Sequence, residues 1–198
     1  MESACTTILV GKKASLDGST MIARNDDTFS PLTPQRLYMN PAVKGRKGAK
    51  IKSWLNGFEA ELPENGYRWP AVPNVDYKHN GYYDESSINE VNVAMSCTES
   101  TYGNEKSLAY DPLVKDGLDE DCMQAMVAPY IDSARGGVEY LGNLIKQYGS
   151  PAGNSVLFSD HDEVWYMEIV TGHLWLAQRI PDDTYAVAAN QVAIQQVD

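Results

Sequence analysis

A chain of 198 residues has room for one sizeable hydrophobic core, and 43% hydrophobic with 22% charged residues is a globular balance that excludes intrinsic disorder. The formal net charge of −11 argues against nucleic acid or an anionic membrane as partner, because both recruit Lys and Arg. No apolar run approaches the roughly 18 residues of a membrane span, and the start MESACTTILVG carries no basic segment of a secretory signal, so a cytoplasmic protein is expected.

In chain order, residues 6–10 and 20–23 are short apolar, β-branched runs on either side of Asp17-Gly18, a pattern that predicts a hairpin with Cys5 opening its first strand. Residues 30–49 carry Pro31, Pro34, Pro41, Gly45 and Gly48 and are expected to be a surface loop. A strand is expected over 51–62, after which Pro63, Gly66, Pro70 and Pro73 are expected to break regular structure. The aromatic residues Tyr67, Trp69, Tyr77, Tyr82 and Tyr83 fit either a pocket lining or ordinary packing. A further strand is expected over 88–96, and 103–116 reads as polar turns.

Two helices follow, over 118–130 and 133–148. The first opens with acidic residues that suit a helix N-terminus; the second places Val138, Leu141, Leu144 and Ile145 on one face and stops at Gly149. Residues 155–158, 164–170, 174–178 and 185–189, separated by turn residues, predict an antiparallel meander. Strands, a helical pair and strands again give an α+β layered fold. The tail 191–198 ends without cap or basic run directly after a segment of functional aspect, and a longer protein is expected.

Cys5, Cys97 and Cys122 are odd in number and without CxxC spacing, so thiols are expected rather than a disulfide framework or zinc ribbon. His79, His161 and His173 are scattered and show no HExxH, so neither a metal nor another cofactor is expected.

Cys5 is the residue with the most reactive potential. If Met1 to Ala4 were removed, its thiol and a free α-amine would share one residue; an amine with a pKa of about 7.7–8.0 can accept the proton of a thiol of about 8.5. The alternative is a buried strand cysteine. Arg24-Asn25-Asp26-Asp27 would end the partner strand near that thiol, where a cation favours thiolate and a carboxylate can hold an ammonium; a solvated turn is the competing reading.

With these residues in hand, CTTILVGKKASLDGSTMIARNDD, SSINEVNVAMSCTESTYGNE, YLGNLIKQYGSPAGNSVLFSDHDEVWYMEIVTGHLW and AVAANQ together resemble the bacterial dipeptidase A family of N-terminal nucleophile hydrolases. More distantly, Cys5-Thr6-Thr7 with Ala23-Arg24-Asn25-x-Asp27 is similar to bile salt hydrolases and penicillin V acylases. The resemblance implies an αββα sandwich, incomplete in this length, with residues 1–4 as a leader and 5–198 as the N-terminal part of the hydrolase domain. It implies Cys5 as nucleophile, Arg24 and Asp27 beside it, and Asn190 as an oxyanion donor. Where related acylases place a second asparagine, this chain holds Glu99, which would instead meet the free amine of a dipeptide. The implied reaction is hydrolysis of dipeptides through a cysteinyl acyl-enzyme, with small peptides as substrates and a homo-oligomer or a C-terminal remainder of the same protein as further partners. The alternatives are an amidase acting on N-acyl amino acids or bile-salt-like amides, and a non-catalytic binding module.

Overall fold

The computed structural model describes residues 3–28, 36–73 and 83–196, with backbone alone at 3, 4, 27 and 28. Alternating side chains in the centre of the chain organise it. Met95, Cys97, Val156, Phe158, Met167 and Ile169 point to one face of a sheet and join a core with helical residues, while Leu157, Val164 and Tyr166 point to the other face and pack under Leu9. A sheet buried on both faces is the result.

That sheet has seven antiparallel strands, in the order β13 (Trp175–Ile180), β12 (Val164–Ile169), β11 (Asn154–Ser159), β10 (Ala94–Thr98), β9 (Asp84–Ile88), β8 (Trp69–Pro73) and β5 (Tyr38–Asn40). A second sheet of three strands, β14 (Tyr185–Ala188), β2 (Thr7–Val10) and β3 (Met21–Arg24), lies on its outer face. Two short ladders complete the strands: β1 (Ser3–Ala4) with β4 (Asp27–Thr28), and β6 (Lys50–Lys52) with β7 (Glu59–Glu61). The helices α1 (Glu105–Tyr110), α2 (Glu120–Val127) and α3 (Ala134–Tyr148) stand between β10 and β11 in sequence, and α2 and α3 cover the inner face of the large sheet. The α+β reading is thereby met by a helix–sheet–sheet stack. Among the described helices none is long and apolar enough to cross a membrane.

Several predicted elements move. The expected strand over 88–96 is split: 88 closes β9, 94–96 open β10, and 89–93 make the hairpin turn, where the Asn89 side chain accepts from Val91 N and Val93 N and donates to Ala128 O and Ile131 O, and Asn92 has φ 64°. Within 51–62 there are two strands, because Ser53 Oγ and Gly57 at φ 80° turn the chain between them. Pro70 and Pro73, expected to interrupt structure, lie within β8, whose pairing with β9 shifts register between Val72 and Pro73. Helix α1, unforeseen, starts at Asn104, which accepts from Ser107 N. The 118–130 helix is α2, capped by Asp119, then a 3₁₀ turn over Ala128–Tyr130.

The second long helix matches its expectation: Ser133 caps α3 by accepting from Gly136 N, and Gly149 at φ 73° ends it. Its glycines admit close neighbours. A Cβ at Gly142 would lie 2.2 Å from Trp175 Cζ2, and Trp175 Nε1 donates to Gly142 O at 3.0 Å. Gly142→Ala is therefore expected to cost about 1–3 kcal/mol through overpacking, read as a lower urea midpoint at unchanged slope.

Beyond α1, the Asp111 carboxylate accepts from His173 N at 2.6 Å and Thr171 Oγ1 at 2.7 Å, and meets His173 Nδ1 at 2.9 Å. Burial works to raise this carboxyl, but the hydrogen bonds from His173 and Thr171 prevail and hold it at about 2. A depressed folded pKa means stability present above the unfolded value of about 3.9 and lost as pH falls toward 2. Asp111→Asn is expected to remove about 1–2 kcal/mol at pH 7, after a discount for solvent screening, and to flatten the loss of stability between about pH 4 and pH 2. Denaturant midpoints of both proteins across that range check it.

Candidate active site

Residue by residue, the site is assembled at the end of the three-stranded sheet. β2 and β3 pair with Thr7 opposite Arg24, so the expected hairpin delivers Arg24 beside the start of β2. Asn25 secures that corner, accepting from Thr6 N and donating its own N–H to Thr6 O. The strand expected last in the meander does not join it: β14 crosses to the smaller sheet and pairs with β2, Ala188 opposite Thr7. Asn190 consequently follows β14 to the position of Cys5, 185 residues away in sequence. The segment beyond it is held by buried Glu168, which accepts from Ala193 N at 2.6 Å.

Cys5 is 6% exposed. Its sulfur lies 3.1 Å from Arg24 Nη2, and its backbone N–H donates to Asn190 Oδ1 at 3.1 Å. With Oδ1 accepting from Cys5, Nδ2 is the Asn190 group left to donate to an oxygen forming at the reacting carbon. None of the three cysteines is in a disulfide; burial pushes the Cys97 and Cys122 thiols up, unsuited to nucleophilic work.

Arg24 is not a solvated strand end. Its side chain is 6% exposed; Nη1 donates to Cys97 O at 2.6 Å, pairs with Glu85 and lies 3.8 Å from Glu120 Oε1, while Nη2 lies 3.7 Å from Asp26 Oδ1. Burial works to lower its pKa, but Glu120, Cys5 and Asp26 outweigh it and keep the guanidinium charged. Glu120 is buried, accepts from Tyr83 OH at 2.6 Å and is raised by that burial. Of the acidic start of α2, Asp119 caps the helix end as expected, while Glu120 turns inward to Arg24.

Of the expected site residues, the structure brings Cys5, Arg24 and Asn190 together. Asp27 pairs through its backbone with Ala4, and its side chain lies outside the described residues. Glu99, just beyond β10, is exposed; desolvation nevertheless raises its carboxyl, and it adds repulsion to Tyr83, Asp119 and Glu120. Glu85, Glu120 and Tyr83 as partners of the arginine escaped the sequence reading; their spacing from residue 24 carries no periodic signal.

The aromatic residues scatter. Tyr67 lines an open cleft of about 630 Å³ with Tyr130 and Tyr140, Trp69 is in a small core, and Tyr83 meets Glu120. Tyr77, Tyr82 and His79 lie outside the described residues.

A thiol flanked by a guanidinium and a side-chain amide is an arrangement that cysteine-dependent acyl transfer can use. Comparison with known proteins supplies the family: the model of peptidase family C69 matches residues 4–198, and the chain belongs to that family. It is 55% identical over 196 residues to a probable dipeptidase of Latilactobacillus sakei, covering 99% of this chain and 41% of that protein. It is 46% identical to a probable dipeptidase B of Lactococcus lactis, covering 98% and 40%, and 39% identical to dipeptidase A of Lactobacillus helveticus, covering 100% and 42%. Thus the chain spans about 40% of the length of these relatives. Among solved structures, penicillin V acylase from Agrobacterium tumefaciens aligns over 88% of this chain and 49% of that one, at 13% identity and a TM-score of 0.49.

Proposed function

We propose that this chain carries the nucleophile half of a cytoplasmic cysteine dipeptidase. The observation that supports it is the convergence on Cys5 of Arg24 Nη2 at its sulfur and Asn190 Oδ1 at its nitrogen, from strands far apart in sequence. Removal of the leader up to Ala4 converts the Cys5 nitrogen into an amine. That amine takes the thiol proton, the sulfur attacks the peptide carbonyl, and Asn190 Nδ2 with backbone amides holds the tetrahedral oxygen. The protonated amine then passes its proton to the leaving amine, and water, activated by the same group, hydrolyses the thioester.

Glu99 and Asp119 supply the reading for substrate class. Burial raises Asp119 to about 6, and neighbouring Glu99, itself raised by desolvation, adds repulsion to it, so an ammonium beside this pair would ease the Asp119 charge. A free dipeptide carries that ammonium; an N-acyl amino acid does not. Asp27 is assigned to the amine of mature Cys5. The outer face of the three-stranded sheet, where Ile8, Met21, Tyr185 and Val187 are exposed, is the surface on which a fourth, helical layer would pack.

The test uses protein expressed from its full natural reading frame, offered dipeptides and N-acyl amino acids, with the N-terminus of active material sequenced. Hydrolysis of dipeptides by a chain beginning at Cys5, unchanged by chelators, is expected. Full activity from a homogeneous chain beginning at Met1 or Glu2 would refute the amine as base.

A further inference from the structure

We propose that Glu120 is a positioning residue that governs when the Cys5 thiol ionises, because its carboxyl and the sulfur draw on the same Arg24 guanidinium and a charge on one opposes a charge on the other. The inference rests, for its functional meaning, on Cys5 as nucleophile. Its geometry is independent of that reading.

Cys5 meets Nη2 of the guanidinium, whereas Glu85 and Glu120 face Nη1. Asp26 approaches from the Cys5 side, next to Nη2. One cation therefore serves three carboxyl groups and a thiol in a pocket where the Arg24, Glu85 and Glu120 side chains are each 6% exposed or less. Low exposure removes the water that would otherwise screen this surplus of negative charge.

Glu120 is the member with the most freedom to change charge. Glu85 contacts the guanidinium directly, while Glu120 stands back from it, with Oε2 accepting from Tyr83 OH and buried Oε1 making no hydrogen bond. The other groups facing it are acidic or neutral: Glu99 beyond β10, Asp119 at the cap of its own helix, and the buried Cys97 thiol on β10. Burial raises Glu120, in keeping with a carboxyl that holds a proton when the sulfur is charged. The thiolate is then favoured while Glu120 is neutral and opposed once it ionises.

The experiment follows the Cβ resonance of ¹³C-labelled Cys5 from about pH 5 to pH 10, assigned with Cys5→Ser, in the whole chain. In Glu120→Gln the Cys5 midpoint is expected about one pH unit below wild type, the size expected for like charges on two sides of a guanidinium at an effective dielectric of about 20. Glu120→Asp, which keeps the charge, is expected to restore the higher midpoint. Tyr83→Phe removes the hydroxyl that favours ionised Glu120 and is expected to lower the midpoint by a smaller amount; it decides the matter if Glu120→Gln does not fold. A merely structural Glu120 leaves the midpoint unmoved, and an unmoved midpoint in a folded Glu120→Gln or in Tyr83→Phe overturns the proposal. The titration needs no turnover, so failure of the coupling and failure of dipeptide hydrolysis are separate results.

Discussion

Arg24→Ala is expected to lose about 3–5 kcal/mol of stability along with all hydrolysis, because the substitution strips the cation from a buried set of carboxyls. Arg24 pairs with Glu85, lies near Asp26 and Glu120, and caps Cys97 O. Deleting it leaves those groups in a pocket with little exposure to solvent, and uncompensated buried charge is what makes broken buried pairs costly. A strand-end arginine in solvent would cost less than about 1 kcal/mol, which is what sequence position alone suggests. Against a typical total of about 5–15 kcal/mol, the larger figure leaves a marginal fold. Chemical denaturation of the purified variant measures it; a loss below about 1 kcal/mol would contradict the buried cluster. Arg24→Lys keeps a charge but not the fork that reaches the sulfur and Cys97 O together, so it is expected to recover stability more than activity.

Cys5→Ala is expected to do the reverse: hydrolysis is abolished and the leader retained, while stability changes by only about 1 kcal/mol. The bond from Cys5 to Asn190 is made by the backbone nitrogen, and the β2 ladders on both sides involve Thr7 to Val10, so the fold keeps its connections when the sulfur is removed. What disappears is the sulfur 3.1 Å from Arg24 Nη2, the atom proposed as nucleophile. Mass and N-terminal sequence of the variant, with a dipeptide assay and a denaturation curve, separate these outcomes. Wild-type turnover by Cys5→Ala would remove Cys5 from the mechanism. Cys5→Ser is expected to process slowly, since a hydroxyl is the weaker nucleophile.

Local pattern and motif were sufficient for part of this protein. Helix α3 follows from an apolar face and a closing glycine; β11 to β13 follow from short runs between turn residues. The β2–β3 hairpin follows in the same way, and with it the approach of Arg24 to Cys5, since antiparallel pairing across a short connection leaves little choice of partner. The quoted sequence blocks carried the family. Where hydrogen bonds are made by side chains to distant backbone, local reading failed, as at Asn89, whose amide turns the middle of an expected strand into a hairpin corner between β9 and β10.

Tertiary structure alone decided the rest. Periodicity marks β14 as a strand but cannot say which sheet receives it; only its pairing with β2 carries Asn190 to Cys5. Likewise Glu120 has an ordinary place at the start of a helix, where a carboxylate suits the exposed amides. Packing of α2 against β9 and β10 turns it inward to share Arg24 with the thiol, and a charge that looks solvated in sequence becomes buried. The physical reason is the same in both cases: spacing along the chain reports which face of an element is apolar, whereas the electrostatics of a site depend on which elements meet and how much water they exclude.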